Sequence, residues 1–414
     1  MNTFKSSSTR FLATITLLLA FVFAFGAETH DRSTLSPRDR AEVLEQVWKT
    51  VNEKYYDPEF NGTDWKAVRE RYAVRVNNVK NDNEFYELLQ AMVGELHDAH
   101  TRVRDPFRRQ LFDRMEAVTV GVSIAEVEGK PIVVSVMPGA EAERAGVRPG
   151  MLVKAIDGQN INAKIAEAQA LVGSSSSDRA AKLFIYSNIL EGPVGTKVKL
   201  TLSYSDATGE HPFEVSLTRQ IISTAVQLDA RRLPSGYGYI RFNRWKEPVH
   251  EQFRQELEKL RNAPGLVIDL RGNGGGSPQE VREIGSYFFP HRVSFGKFIK
   301  RSGKPIELDA GGEALYNGPV VILVNESSGS GSEMFTGVMQ ETGRALVVGR
   351  QSCGCLLAAT RRKLKGGGEL GLSEFGYLTP KGRRLEGAGV VPDRTVALTL
   401  NDIRQRRDAA LEEA

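Results

Sequence analysis

Between residues 221 and 400, short apolar runs alternate with helical patterns, and this alternation restricts the chain to few architectures. Tyr237–Phe242, Leu266–Leu270, Val320–Val324 and Ala345–Val348 read as strands. Pro248–Asn262, Pro278–Phe288 and Ser332–Glu341 read as the helices between them, the first with Phe253, Leu257 and Leu260 on one face. A βαβ succession of this kind is satisfied by a layered α/β core. Ligands of such folds bind beyond the carboxyl ends of the strands, where strands turn into helices.

Two of those turns have the composition of a site. The first is Asp269-Leu270-Arg271-Gly272-Asn273-Gly274-Gly275-Gly276-Ser277. Ser277 and Glu280 have the spacing of a capping box, with Pro278 at the first helical position. Consecutive glycines let the backbone take positive φ and aim N–H groups at a ligand, which is what an oxyanion hole requires. A phosphate-binding turn is the competing reading, but there is no G-x-x-x-x-G-K-[ST] string and the G-x-G-x-x-G spacing is not met. A merely flexible turn is the plain alternative. The second turn, Asn325 to Glu333, is a Ser/Gly string of the kind common in linkers. Its position argues otherwise, because an apolar strand ends at Val324 and an apolar helix starts at Met334. A serine there sits at a helix N-terminus, where developing negative charge is favoured. The logic is that of a nucleophile elbow, although the string is not G-x-S-x-G.

Upstream, residues 28–115 are helical in pattern: Val43, Val47, Trp48 and Val51 share one face, as do Phe85, Leu88, Leu89, Met92 and Val93. Residues 116–220 change to short β-branched runs at Val118–Ile124, Pro131–Val136, Met151–Ile156 and Lys197–Ser203, with a partly helical insertion at 164–190. Three domains result (28–115, 116–220 and 221–400), with 401–414 as a tail. Residues 1–27 carry Lys5 and Arg10, an apolar run from Phe11 to Phe25, and small residues at Ala24, Gly26 and Ala27. They read as a signal peptide, with an uncleaved anchor as the alternative, and place the mature chain in the periplasm or outside the cell. Without that segment the formal charge falls from +4 to +2, which excludes a nucleic-acid footprint. Cys353 and Cys355 are the only cysteines. A bridge between them would close a very small ring, so packing or redox-sensitive thiols are the readings left open. With no histidine beside them they do not make a zinc site, and no metal or cofactor is expected.

Ser328-Gly329-Ser330-Gly331-Ser332-Glu333 resembles the S-A-S-A-S-E element of C-terminal processing peptidases. The Asp269–Gly276 run resembles their D-L-R-x-N-x-G-G turn. Tyr377–Gly382 and Gly387–Asp393 are similar to their Y-x-T-P-x-G and G-x-G-x-x-P-D elements, and Gly139–Gly150 to their PDZ-like module. The likeness covers nearly the whole mature chain in order. It implies a crotonase-like peptidase core, Ser330 as nucleophile, and an oxyanion hole from the N–H groups at Gly275, Gly276 and Gly331. It also implies a polypeptide or C-terminal peptide as partner, with Val120, Gly121 and Val122 offering backbone donors to its carboxylate.

The chain departs from the pattern at one place. Those peptidases use a lysine just past the strand that follows the serine's helix, and that spacing lands here on Cys355. A tricorn-like core instead uses a histidine base and a late glutamate. Gly94–Thr101 and Arg384–Gly387 resemble these elements and imply His100 as the base and Glu386 as its orienting partner. A structural His100 and a surface Glu386 paired with Arg383 or Arg384 are the alternatives. Three functions follow: a serine endopeptidase, a peptide-binding pseudopeptidase that lost its base with the lysine, and a hydrolase of other acyl substrates.

Overall fold

The computed structural model describes residues 35–414 apart from 173 and 207, so the targeting segment lies outside the described residues. Helices Pro37–Lys54, Trp65–Arg75 and Asp82–Gly94 open the chain. The first starts where the residue types require it. Ser36 accepts from the Asp39 N–H, the Asp39 carboxylate takes the Ser36 N–H in return, and Pro37 occupies the first turn. These helices do not make a core alone. Val43, Val47, Phe85 and Met92 pack with Leu364, Leu370 and Leu372 from far along the chain. A short strand, Arg102–Arg104, then pairs antiparallel with Glu369–Leu378 and sets Arg102 opposite Gly371.

The β-rich segment forms a sheet in the order Val122–Val127, Lys130–Val136, Leu152–Ile156, Lys197–Asp206, Gly209–Thr218, which leaves Val122–Val127 at an edge. The run read as one strand over Val118–Ile124 is two. Gly121, at φ 75°, separates Glu116–Thr119, which pairs with Gln220–Ser223, from the edge strand. A Cβ at Gly121 would lie 2.8 Å from that of Ala140, so the break needs glycine both for its angle and for space. The insertion holds helices Ile161–Val172 and Asp178–Asn188, and the second packs on the edge strand.

The last region has the layers that the alternation requires. Six strands run in the order Leu228–Arg232, Gly238–Phe242, Leu266–Asp269, Val320–Val324, Leu346–Gly349, Arg394–Thr395. All but the first pair are parallel. Helices Val249–Leu260, Pro278–Ser286 and Gly331–Glu341 bury Phe253, Val281, Ile284, Phe335 and Val338 with Trp245 and Phe288. A second, antiparallel sheet joins Arg102–Arg104, Glu369–Leu378, Val293–Lys300, Ile306–Ala310 and Ala358–Lys363. The protein is thus a mixed α/β multidomain fold. Its C-terminal residues form helices Leu400–Gln405 and Ala409–Glu413, and Asp408 pairs with Arg271 at 2.7 Å behind the glycine turn. No helix among the described residues is long and apolar enough to cross a membrane.

Candidate active site

The two turns meet. The Val320–Val324 strand ends in the Ser/Gly string, and helix Gly331–Glu341 begins directly after Ser330. Ser330 is half-buried, with φ 51° and ψ −113°, a backbone region that a side-chain-bearing residue rarely occupies. Its surroundings hold it there. Its N–H is shared between the Cys355 carbonyl and Glu333 Oε2, each at 3.0 Å, and its carbonyl accepts from the Met334 N–H at 2.9 Å. The flanking serines bind the turns together: Ser328 Oγ donates to the Leu270 carbonyl, and Ser332 Oγ donates to that of Asn273 while accepting from Trp245 Nε1. The middle serine takes no part in those ties.

Glycine is obligatory on the opposite wall. A Cβ on Gly276 would lie 2.1 Å from the Trp245 carbonyl oxygen, and one on Gly275 would lie 2.6 Å from the Cβ of Ser330. The three expected donors are not equivalent. The Gly275 N–H is taken by Asn273 Oδ1 at 3.0 Å, so this residue contributes close approach and no free donor. The N–H groups of Gly276 and Gly331 have no acceptor among the described residues. They also lie close together, since a Cβ on Gly331 would stand 3.3 Å from the Gly276 nitrogen. The expected capping box at Ser277 is only half formed. Ser277 Oγ accepts from Gln279, but the Glu280 carboxylate turns instead to the backbone N–H and Nδ1 of His250.

The cysteines require a correction. Cys353 and Cys355 form a disulfide across two residues, the small ring that their spacing argued against. Gly354, at φ 72°, makes the reversal between them possible, in a place where a Cβ would come within 2.8 Å of the Gly387 carbonyl oxygen. Neither sulfur is a free thiol, so Cys355 has no thiolate to offer as a base. What it supplies is backbone. Its carbonyl anchors Ser330, and its N–H joins those of Gly354 and Ser330 and the Ser352 hydroxyl on the buried Glu333 carboxylate. Burial pushes the Glu333 pKa up, and these four donors pull it back.

His100 lines a cavity of about 270 Å³ together with Gly274, Gly329 and Cys355. The turn that carries it is fixed by the buried Asp98. This carboxylate takes the N–H groups of His100 and Thr101 at 2.7 and 2.6 Å, and the hydroxyls of Thr101 and Ser373. Its Nδ1 is buried with no hydrogen-bond partner. Burial pushes its pKa down to about 4; Asp98 opposes that and Arg102 adds to it, so the imidazole is neutral at pH 7 and able to accept a proton. Glu386 accepts the Leu356 N–H at 2.6 Å. Its burial pushes its pKa up to about 7; hydrogen bonds from Ser176 and Leu356 oppose this, and Asp98 and Glu333 add to it. Neither neighbouring arginine is its partner, because Arg383 pairs with Glu341 and Arg384 bonds Tyr56. No hydrogen bond joins Glu386 to His100 in this structure; what connects Glu386 to the serine turn is the Cys355–Leu356 backbone.

A stability measurement follows from Glu386. Its folded pKa of about 7 lies above the 4.5 of a free glutamate, so the native state holds the proton longer than the unfolded chain does. The contribution is largest below pH 4.5 and is lost as pH rises through 7, by on the order of 3 kcal/mol. Denaturant titration at pH 5 and pH 8 should therefore show Glu386→Gln gaining on the wild type at the higher pH. An equal difference at both pH values would contradict the assignment.

Val120, Gly121 and Val122 lie at the start of the edge strand and not on the cavity wall. The Gly121 N–H is already taken by Thr119 Oγ1. The Asp178–Asn188 helix stands between strand and cavity. Arg179 donates to the carbonyls of Ser352 and Ala388, Ser177 donates to that of Cys353, and Leu183 and Phe184 face the cavity. Glu333 has no sequence signal for its role as a buried acceptor beyond its place at the end of the serine motif. The cavity face of this helix likewise has no sequence signal beyond its own amphipathic pattern.

The class to which the chain belongs, serine-type peptidases, is defined by its similarity to known proteins. The description Peptidase family S41 matches residues 236–396, and the Tricorn protease C1 domain matches residues 36–94. A carboxyl-terminal-processing protease of Synechocystis sp. is 30% identical over 398 residues, covering 91% of this chain and 86% of that one. The chloroplastic carboxyl-terminal-processing peptidase 2 of Arabidopsis thaliana is 29% identical, covering 84% and 67%. Among solved structures, the photosystem II D1 C-terminal processing protease has a TM-score of 0.59 at 24% identity, covering 86% and 93%. Mature CPAF has a TM-score of 0.68 at 14% identity, covering 89% and 94%. The chain belongs to the carboxyl-terminal-processing proteases of peptidase family S41.

Proposed function

We propose that the mature chain is an exported endopeptidase in which Ser330 attacks a peptide carbonyl and His100, not a lysine, takes its proton. The observation that carries this reading is a serine held at positive φ with two unused N–H groups beside it, on a turn whose preceding residue, Gly329, lines the same cavity as the neutral His100. The Ser330 hydroxyl adds to the carbonyl carbon, its proton passes to His100, and the oxyanion accepts from Gly276 and Gly331. The imidazolium then protonates the leaving amine, and water reverses the sequence to release the acyl group. Glu386, in its charged form, offsets the imidazolium. The disulfide fits an oxidising compartment and so supports the export expected from residues 1–27. The edge strand of the β-rich domain, read as PDZ-like, offers strand addition to a substrate's C-terminus.

Because Cys355 acts through its backbone, Cys355→Ala is expected to retain peptide cleavage within about threefold. A fall of a hundredfold or more would make the sulfur part of the chemistry. The pseudopeptidase reading draws on one observation, the lack of a His100–Glu386 hydrogen bond. Incubation of an unfolded polypeptide with purified mature protein separates the two: cleavage that disappears in Ser330→Ala establishes the peptidase, and binding without cleavage establishes the alternative.

A further inference from the structure

Beside the neutral His100 the cavity holds a cationic side chain, Arg102, for which the mechanism has no use. Arg102 lies on the short strand that pairs with the Glu369–Leu378 strand, opposite Gly371. Its Nε donates to the Ala99 carbonyl at 2.8 Å, and its guanidinium carbon sits 4.4 Å from the centroid of the Phe184 ring. These two contacts fix its direction along the wall shared with His100, Gly329 and Cys355.

Arg102 differs from its neighbours in what it lacks. Arg104, two residues on along the same face, pairs with the buried Glu369 at 3.1 Å. Arg361 pairs with Glu369 and Asp113. Arg102 has no carboxylate within ion-pair distance among the described residues. The nearest acid that influences it, Asp98, is already occupied by two N–H groups and two hydroxyls. Burial holds its pKa down to about 10, so it remains charged at neutral pH. A largely desolvated guanidinium without a counter-ion is costly unless something supplies one. Its planar fork matches a carboxylate held by two hydrogen bonds.

We infer that Arg102 is a specificity-determining residue that binds a substrate carboxylate within reach of the scissile bond. That carboxylate is either an acidic side chain or the free end of a short C-terminal tail. The inference rests on the peptidase reading above and deepens it, because it names the chemistry of the peptides the cavity selects. Phe184 has a part in this: it holds the guanidinium flat from the β-rich domain, so two domains together build the subsite.

The test uses the mature protein and two matched peptide series around one cleavable bond. One series exchanges Glu for Gln at successive flanking positions, and the other exchanges a free C-terminal carboxylate for an amide. In the wild type kcat/KM is expected to favour the carboxylate member of one series by roughly ten- to a hundredfold, as a charge-assisted bond to a buried partner would give. The series that responds identifies the source of the carboxylate. The ratio should collapse to within about threefold in Arg102→Gln and be partly kept in Arg102→Lys. A wild-type ratio near one in both series, or a ratio that persists in Arg102→Gln, overturns the proposal. Should Arg102→Gln fail to fold, the same peptides are compared by fluorescence anisotropy on Ser330→Ala and on the Ser330→Ala, Arg102→Lys double variant. A carboxylate preference reduced by lysine supports the subsite, and an unchanged or absent one refutes it. Preference in that binding assay without cleavage by the wild type would instead sink the peptidase reading and leave the subsite standing.

Discussion

Ser330→Ala is expected to lower kcat/KM for peptide cleavage by about 10⁵-fold, the scale of losing a serine nucleophile, with denaturant stability within about 1 kcal/mol of the wild type. The two halves of this result have separate causes. The hydroxyl is the attacking atom, and the two cavity sulfurs, joined to one another, cannot take its place. The fold, by contrast, uses the backbone of this residue. Its N–H is held by Cys355 and Glu333 and its carbonyl by Met334, contacts that alanine keeps. Positive φ strains alanine and serine alike, so the exchange neither relieves nor adds strain. Activity assays and urea titrations on the same preparation check both halves. Parallel loss of activity and stability would mean that the residue is structural.

His100→Ala is expected to lower kcat/KM by about 10⁴-fold or more, and the double variant with Ser330→Ala should be no worse than Ser330→Ala alone, because nucleophile and base act as one unit. The pH profile carries the finer information. His100, with a pKa near 4, is in its accepting form across the neutral range, so it does not produce the limb near 6.5 that an ordinary histidine gives. Glu386, near 7, gains its charge in that range. The wild-type kcat/KM is therefore expected to fall as pH drops through 7, and Glu386→Gln should be slower but flat between pH 5 and 8. A limb at 7 that survives in Glu386→Gln would remove this glutamate from the reaction.

How far the chain could be read depended on whether an element is defined by its own residues or by distant ones. The parallel sheet was legible, because Leu266–Ile268 and Val320–Val324 are apolar runs packed on both faces. The second sheet was not. Val293–Lys300 carries Ser294 and Lys297 and is a strand because Glu369–Leu378 pairs with it across a long stretch of chain, while Ala358–Lys363, with Arg361 and Arg362, is a strand because it pairs with the same partner as a hairpin. The same distinction runs through the site. The glycine turn announced itself by composition and position, and the serine turn by position alone. That Asn273 consumes the Gly275 N–H, or that Glu333 collects four donors, depends on folded geometry that spacing does not encode. The small ring argues against a Cys353–Cys355 bridge on disulfide geometry, but Gly354 at positive φ lets the backbone reverse tightly enough to close it.

The most direct test of the Ser330–His100 pair is the rate of covalent labelling by a fluorophosphonate at pH 7.5, compared across wild type, His100→Ala and, as the blank, Ser330→Ala. Labelling requires the serine to be activated but needs no knowledge of the natural substrate. The wild type is expected to be labelled at Ser330, and labelling of His100→Ala to fall at least about a hundredfold, close to the blank. Labelling of His100→Ala at the wild-type rate would contradict this pairing and place the base elsewhere in the cavity.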